Sequence, residues 1–141
     1  MKIRRLGMSF FAVILLAVGM AGCSDFWTLD LDNPVQITAS STFVVKADGE
    51  DPLDARTWVE QILAKRGCRV ISGGGVSADT FHLIISYEYL PENENCRYFT
   101  FILRDAAGRD LKTGTYNGEK PLKDLLFDFD NFLFNSLFKK Q

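Results

Sequence analysis

Three cysteines, one histidine and a scattering of serines and carboxylates are the side chains of this 141-residue chain that could do chemistry. Cys23 directly follows the small residues Ala21 and Gly22, and Cys68 and Cys96 are the remaining pair. His82 is the only imidazole. It occupies an alternating position in a strand-like run, with no cysteine or carboxylate at metal-ligand spacing, so a structural or surface role is expected of it.

The other chemical patterns fail on inspection of their neighbours. Gly73-Gly74-Gly75 is followed by no Gly-Lys-Ser/Thr and joins two apolar runs, so it reads as a loose turn, not a phosphate cradle. Asp30, Asp32 and Asn33 begin like a calcium loop, but Val35 stands where glycine is needed and Ser41 where glutamate is needed. Asp128 and Asp130 are two positions apart on a predicted helix, which sends their carboxylates in different directions. Ser40, Ser41 and Ser86 lie outside any Gly-x-Ser-x-Gly turn. No catalytic residue, metal site or cofactor is expected, and the chain reads as non-enzymatic.

The first 22 residues form three zones: Lys2, Arg4 and Arg5, then an apolar run from Met8 to Met20, then Ala21 and Gly22. This is the layout of a secretory signal, and the apolar run is shorter than the roughly 20 residues needed to span a membrane. Met20-Ala21-Gly22-Cys23 resembles the lipobox of bacterial lipoproteins. That resemblance implies cleavage before Cys23 and acylation of it, so residues 1–22 are the signal and 23–34 a lipid-anchored tether. Two or three acyl chains on one cysteine would hold the protein durably to its membrane. In the lipoproteins it resembles, aspartate directly after the cysteine favours the inner membrane. Ser24 stands there instead, which implies an outer-membrane anchor facing the periplasm. Phe26 and Trp27 then suit the membrane interface.

Cleavage would remove three cations and no acid from a chain whose formal charge is already −2, which disfavours nucleic acid as a partner. An oxidising compartment leaves two readings for Cys68 and Cys96. One is a disulfide whose loop of about 29 residues would contribute roughly 3.5 kcal/mol; the other is two small buried thiols.

The elements that must position these groups follow from periodicity. Val35 to Val45 alternates as a first strand. Asp51 and Pro52 open a helix that Gly67 stops, with Ala55, Trp58, Val59, Ile62 and Leu63 on one apolar face. Cys68–Ser72, Phe81–Tyr89, Tyr98–Arg104 and Leu111–Tyr116 are predicted strands, the last two joined by a turn at Gly108, and Pro121 opens a second helix to about Phe138. The expected fold is therefore α+β: one mostly antiparallel sheet of about five strands carrying two helices, in the order β-α-β-β-β-β-α, as a single domain over residues 35–141.

Three stretches carry a family resemblance: Leu63-Ala64-Lys65-Arg66-Gly67-Cys68-Arg69-Val70, Ala78-Asp79 leading into Phe81–Tyr87, and Leu103–Gly108 with Leu111 and Gly114. Through them the chain resembles small envelope lipoproteins of a family of unknown function, and more broadly the α/β domains of curli-secretion and lipopolysaccharide-assembly lipoproteins. The resemblance implies the fold and no activity.

The last helix is more apolar than one sheet face commonly needs. Leu122, Leu125, Leu126, Phe129, Phe132, Leu133 and Leu137 make a stripe that Phe127, Phe134 and Phe138 widen. A broad buried stripe is one reading; the other makes Phe127, Phe134 and Phe138 a contact row for an envelope protein partner. The expected function is a membrane-anchored, non-catalytic binding or assembly factor. The alternative is a small-ligand binder using a groove between the sheet and the first helix, lined by Tyr87 and Tyr89.

Overall fold

In the computed structural model, which describes residues 26–38, 40–72 and 77–136, seven strands form one sheet with two helices over one face. The strands are β1 (Phe26–Asp32), β2 (Thr42–Ala47), β3 (Arg69–Val70), β4 (Thr80–Leu90), β5 (Asn95–Arg104), β6 (Asp110–Asn117) and β7 (Glu119–Pro121). The helices are α1 (Ala55–Lys65) and α2 (Leu122–Ser136). The sheet order is β1-β6-β5-β4-β2-β3, with β7 added beside the start of β5.

The α+β class holds, but the sheet is larger than the expected five strands and is mixed. β2 runs parallel to both β3 and β4. The connection from β2 travels through α1, and a helical crossover returns the chain to the end where it started, which makes the next neighbouring strand parallel. The remaining pairs, β1–β6, β4–β5, β5–β6 and β5–β7, are antiparallel.

A second correction concerns residues 23–34, expected to be a tether. Within them Phe26–Asp32 is an edge strand paired along β6, from Phe26 opposite Asn117 to Asp32 opposite Lys112. The cause is legible afterwards: Trp27, Leu29 and Leu31 alternate with polar residues, and Trp27 and Leu29 pack on the core. The folded domain therefore includes residues ahead of Val35. The predicted first strand shrinks to Thr42–Ala47, because Ser41 and Thr38 bond to each other locally, N–H to Oγ and N–H to carbonyl, both at 3.0 Å. Ile37 is still fully buried from this irregular segment.

Helix α1 starts later than predicted. Residues 51–54 form a turn, and the Asp51 carboxylate reaches forward to accept the N–H groups of Ala55 at 2.6 Å and Arg56 at 3.0 Å. Asp51 thus satisfies two orphan donors from ahead of the formal cap residue, Asp54. At the other end Gly67, at φ +92°, donates to Ala64 while Cys68 donates to Leu63, both at 3.0 Å. That paired closure needs a left-handed residue and explains the glycine.

The core lies between the helices and one sheet face. Ala55, Val59 and Leu63 of α1 and Leu125, Phe129 and Leu133 of α2 cover Phe43, Val45, Leu83, Ile85, Phe99, Phe101 and Leu103. Gly114 on β6 is where the sheet passes under the Phe101 ring: a Cβ there would stand 2.9 Å from Phe101 Cζ and 3.1 Å from the Thr28 carbonyl. Because Phe101 is fully buried, the ring cannot move away cheaply. Gly114→Ala is expected to cost about 1–3 kcal/mol of stability in urea unfolding, against a much smaller loss for Thr113→Ala beside it.

Candidate functional site

The two helices leave a groove between them on the outer surface. The Arg66 guanidinium joins them at one end, donating to both carboxylate oxygens of Asp130 at 3.2 Å. The groove has a volume of about 410 Å³; Ile62 and Leu126 line it, with Trp58 and Phe127 beside them. Its lining also carries both charges, from Lys65 and Lys123 on one hand and Asp124 and Asp130 on the other.

Phe127 is 68% exposed and Trp58 46%, although both are large apolar side chains. The stripe on α2 explains why: Leu122, Leu125, Leu126, Phe129 and Leu133 are turned to the core, and Phe127 projects away from them. Phe127 is therefore where the sequence placed a contact residue. Phe138 and the Phe134 side chain lie outside the described residues, as does Cys23. Trp58 is a residue that sequence reasoning misassigned to the core. Its face is wider than α1 can bury, and Ala55, Val59 and Leu63 fill the inward sector.

The expected groove between the sheet and α1 is filled. Tyr87 stacks on Phe99, with centroids 6.4 Å apart, and its hydroxyl donates to Asp51 while accepting the Leu53 N–H at 3.1 Å. Tyr89 packs against the same core. Burial opposes ionisation of Asp51, but the Tyr87 hydroxyl, the N–H groups of Arg56 and Ala55 and the Arg56 charge together hold its pKa below the ordinary carboxylate value. Burial and the Asp51 hydrogen bond push the Tyr87 phenol up. The tyrosine predicted to line a ligand site instead locks the start of α1.

Cys68 and Cys96 are free and buried, not bridged. Cys68 follows α1 next to β3, at the Thr42–Thr80 end of the sheet, whereas Cys96 lies opposite Tyr89. Those ends are separated by most of β4, roughly 30 Å at strand rise, while bridged Cα atoms must lie within about 7 Å. Burial raises both thiol pKa values, that of Cys96 to about 11 with help from the Asp51 charge. Asp128 and Asp130 diverge as predicted, Asp128 to Lys120 at 2.6 Å and Asp130 to Arg66. Asp30 and Asp32 are taken by Thr115 and the buried Lys112. His82 is on the other face of the sheet from the helices.

Tyr87→Phe is expected to lose about 1–2 kcal/mol near neutral pH, since it removes a hydrogen bond to an ionised group. Asp51 is depressed in the fold, so its contribution is complete above the ordinary carboxylate pKa and disappears as pH falls through the folded value. The difference between wild type and Tyr87→Phe in chemical denaturation should therefore close in acid. Iodoacetamide should leave Cys68 and Cys96 unlabelled in the native protein and alkylate both in denaturant without reductant; a requirement for reductant would show a bridge.

No protein-family model and no curated protein sequence matches the chain. The fold is similar to that of PelC from Paraburkholderia phytofirmans, solved as a dodecamer: 15% identity, a TM-score of 0.55, covering 82% of this chain and 100% of that one. A leucine-to-methionine variant of the same PelC, also a dodecamer, aligns over the same shares at 16% identity and a TM-score of 0.53. The described residues thus share the fold of a bacterial protein that was solved as a dodecamer.

Proposed function

We propose that this chain is a lipid-anchored, non-catalytic assembly component of the bacterial cell envelope that associates with copies of itself through the groove between α1 and α2. The observation that carries the reading is the exposure of Trp58 and Phe127, which line one groove, on a helical layer whose other described large apolar side chains are buried or half-buried. Aromatics desolvated in such a groove dominate association energies, and the mixed charges around them suit pairing across an interface. The PelC structures supply the choice of partner, because a similar fold assembles there as twelve copies.

The anchor rests on the sequence: a basic start, an apolar run, then Met20-Ala21-Gly22-Cys23. Acylation at Cys23 would hold the domain at the periplasmic face, and Ser24 favours the outer membrane. Among the described residues no helix is long and apolar enough to cross a membrane. A non-catalytic role fits the surroundings of the groups with chemistry. The Ser86 hydroxyl bonds Thr100 at 2.6 Å, and burial and the cations Lys46 and Arg104 lower the His82 pKa.

Native mass spectrometry of the full chain, produced in a bacterial host and extracted in detergent, tests both parts. The expected subunit begins at an acylated Cys23 and populates an oligomer, and Trp58→Ser with Phe127→Ser shifts it to monomer with an unchanged circular dichroism spectrum. An unmodified Cys23 would remove the anchor. A wild-type monomer at tens of micromolar, or an oligomer indifferent to both substitutions, would remove the groove as the interface.

A further inference from the structure

The face of the sheet away from the helices carries a second hollow, of about 450 Å³. Strand alternation builds it. Leu83 and Ile85 of β4 point to the core, so His82 and Ile84 point the other way. His82 lies between Val44 of β2 and Arg104 of β5, and Ile84 between Lys46 and Ile102. One row therefore ends in a guanidinium and the next begins with an ammonium, with Ile84 and Ile102 as an apolar floor between them. The turn after β5, from Asp105 to Gly108, forms a wall.

Two of the three acids around this hollow are occupied. Asp110 accepts Arg104 Nε at 2.7 Å, which leaves the terminal guanidinium nitrogens free for a second acceptor. Asp105 is tied into its own turn by the N–H groups of Ala107 at 3.0 Å and Arg109 at 2.9 Å and by the Arg109 side chain. Asp48, at the end of β2, also lines the hollow, and its carboxylate has no hydrogen-bond or ion-pair partner among the described residues. Lys46 has no carboxylate partner among the described residues.

We propose that this hollow binds a small soluble oxyanion borne on a short apolar body, with Lys46 and the free guanidinium nitrogens of Arg104 holding the charge, His82 donating beside them, and Ile84 and Ile102 under the apolar part. Its volume falls in the range of small-molecule sites, and two cations over an apolar floor favour an amphipathic anion over a bare one. Burial first, and then the charges of Lys46 and Arg104, lower the His82 pKa, so a bound anion will raise it. The proposal stands apart from the helix-side groove, which is on the opposite face of the sheet.

His82 is the only histidine in the chain, so its imidazole resonances report on this hollow without assignment of the rest. The experiment is an NMR pH titration of the full-length protein in non-ionic detergent, with added butyl sulfate, inorganic sulfate or 1-butanol. Sulfate esters stay anionic throughout, and the Arg109 N–H holds the Asp105 carboxyl below the ordinary carboxylate value. Butyl sulfate is expected to bind saturably and raise the His82 pKa by about half a unit or more. Inorganic sulfate should bind more weakly, butanol should have no effect, and Lys46→Ala with Arg104→Ala should abolish the shift. Absence of a saturable shift, an equal response to butanol, or a response that survives the double substitution would overturn the proposal. So would a shift produced by phosphatidylglycerol vesicles alone, which would make the face a lipid contact.

Discussion

The seat of Trp27 holds the first and last of the described elements, β1 and α2, together. Its ring stacks on Phe132 at a centroid distance of 5.0 Å and meets Tyr116 at 5.3 Å, Phe129 at 5.6 Å and Phe99 at 5.8 Å. One side chain from the edge strand β1 thereby contacts β5, β6 and α2. An edge strand has a single ladder to hold it, so its place depends on what its inward side chains bury. Each aromatic contact contributes about 0.5–1.5 kcal/mol beyond area burial. That offsets the burial of the indole N–H, which finds no acceptor among the described residues. The bare Cα of Gly114 lets Phe101 join the same nest.

Much of the fold was legible where one local pattern decided the outcome. The alternation around Leu83 and Ile85, the turn at Gly108 and the stop at Gly67 all appear in the structure, because each depends on residues within a few positions. The parallel pairing of β2 with β4 was not legible, since alternation states which residues face the core and not which strand lies alongside. β1 was hidden for a different reason. Asp30, Asp32, Asn33 and Pro34 give residues 23–34 the composition of a linker, and the closeness of Cys23 assigned Trp27 to a membrane. The deciding partners of Trp27, Phe129 and Phe132, lie about a hundred residues away in sequence.

The surface features were partly legible. Excess apolar area on the last helix pointed to Phe127, which is exposed, and a width argument of the same kind would have found Trp58. Tyr87 misled because its polar tip suggested a ligand contact, whereas its partner is the Asp51 carboxylate. His82, as the only imidazole, reads from the sequence as a structural or surface residue. Its neighbours Lys46 and Arg104 come from other strands, and only the register brings three nitrogen-bearing side chains onto one face of an otherwise acidic chain.

The pairing of β1 with β6 also fixes an order in time. Phe26–Asp32 leaves the ribosome early, but its ladder partner ends at Asn117, and the rings that complete the Trp27 seat come later still. Closing a loop of that length must wait for nearly the whole chain, and the entropy of closure is recovered only when the nest forms. The β4–β5–β6 meander, whose contacts are local, can assemble first and offer an open edge. On the proposed reading, in which the chain is exported and Cys23 acylated, the segment beside Cys23 would stay unpaired until β6 and α2 are in place to seal it into the sheet.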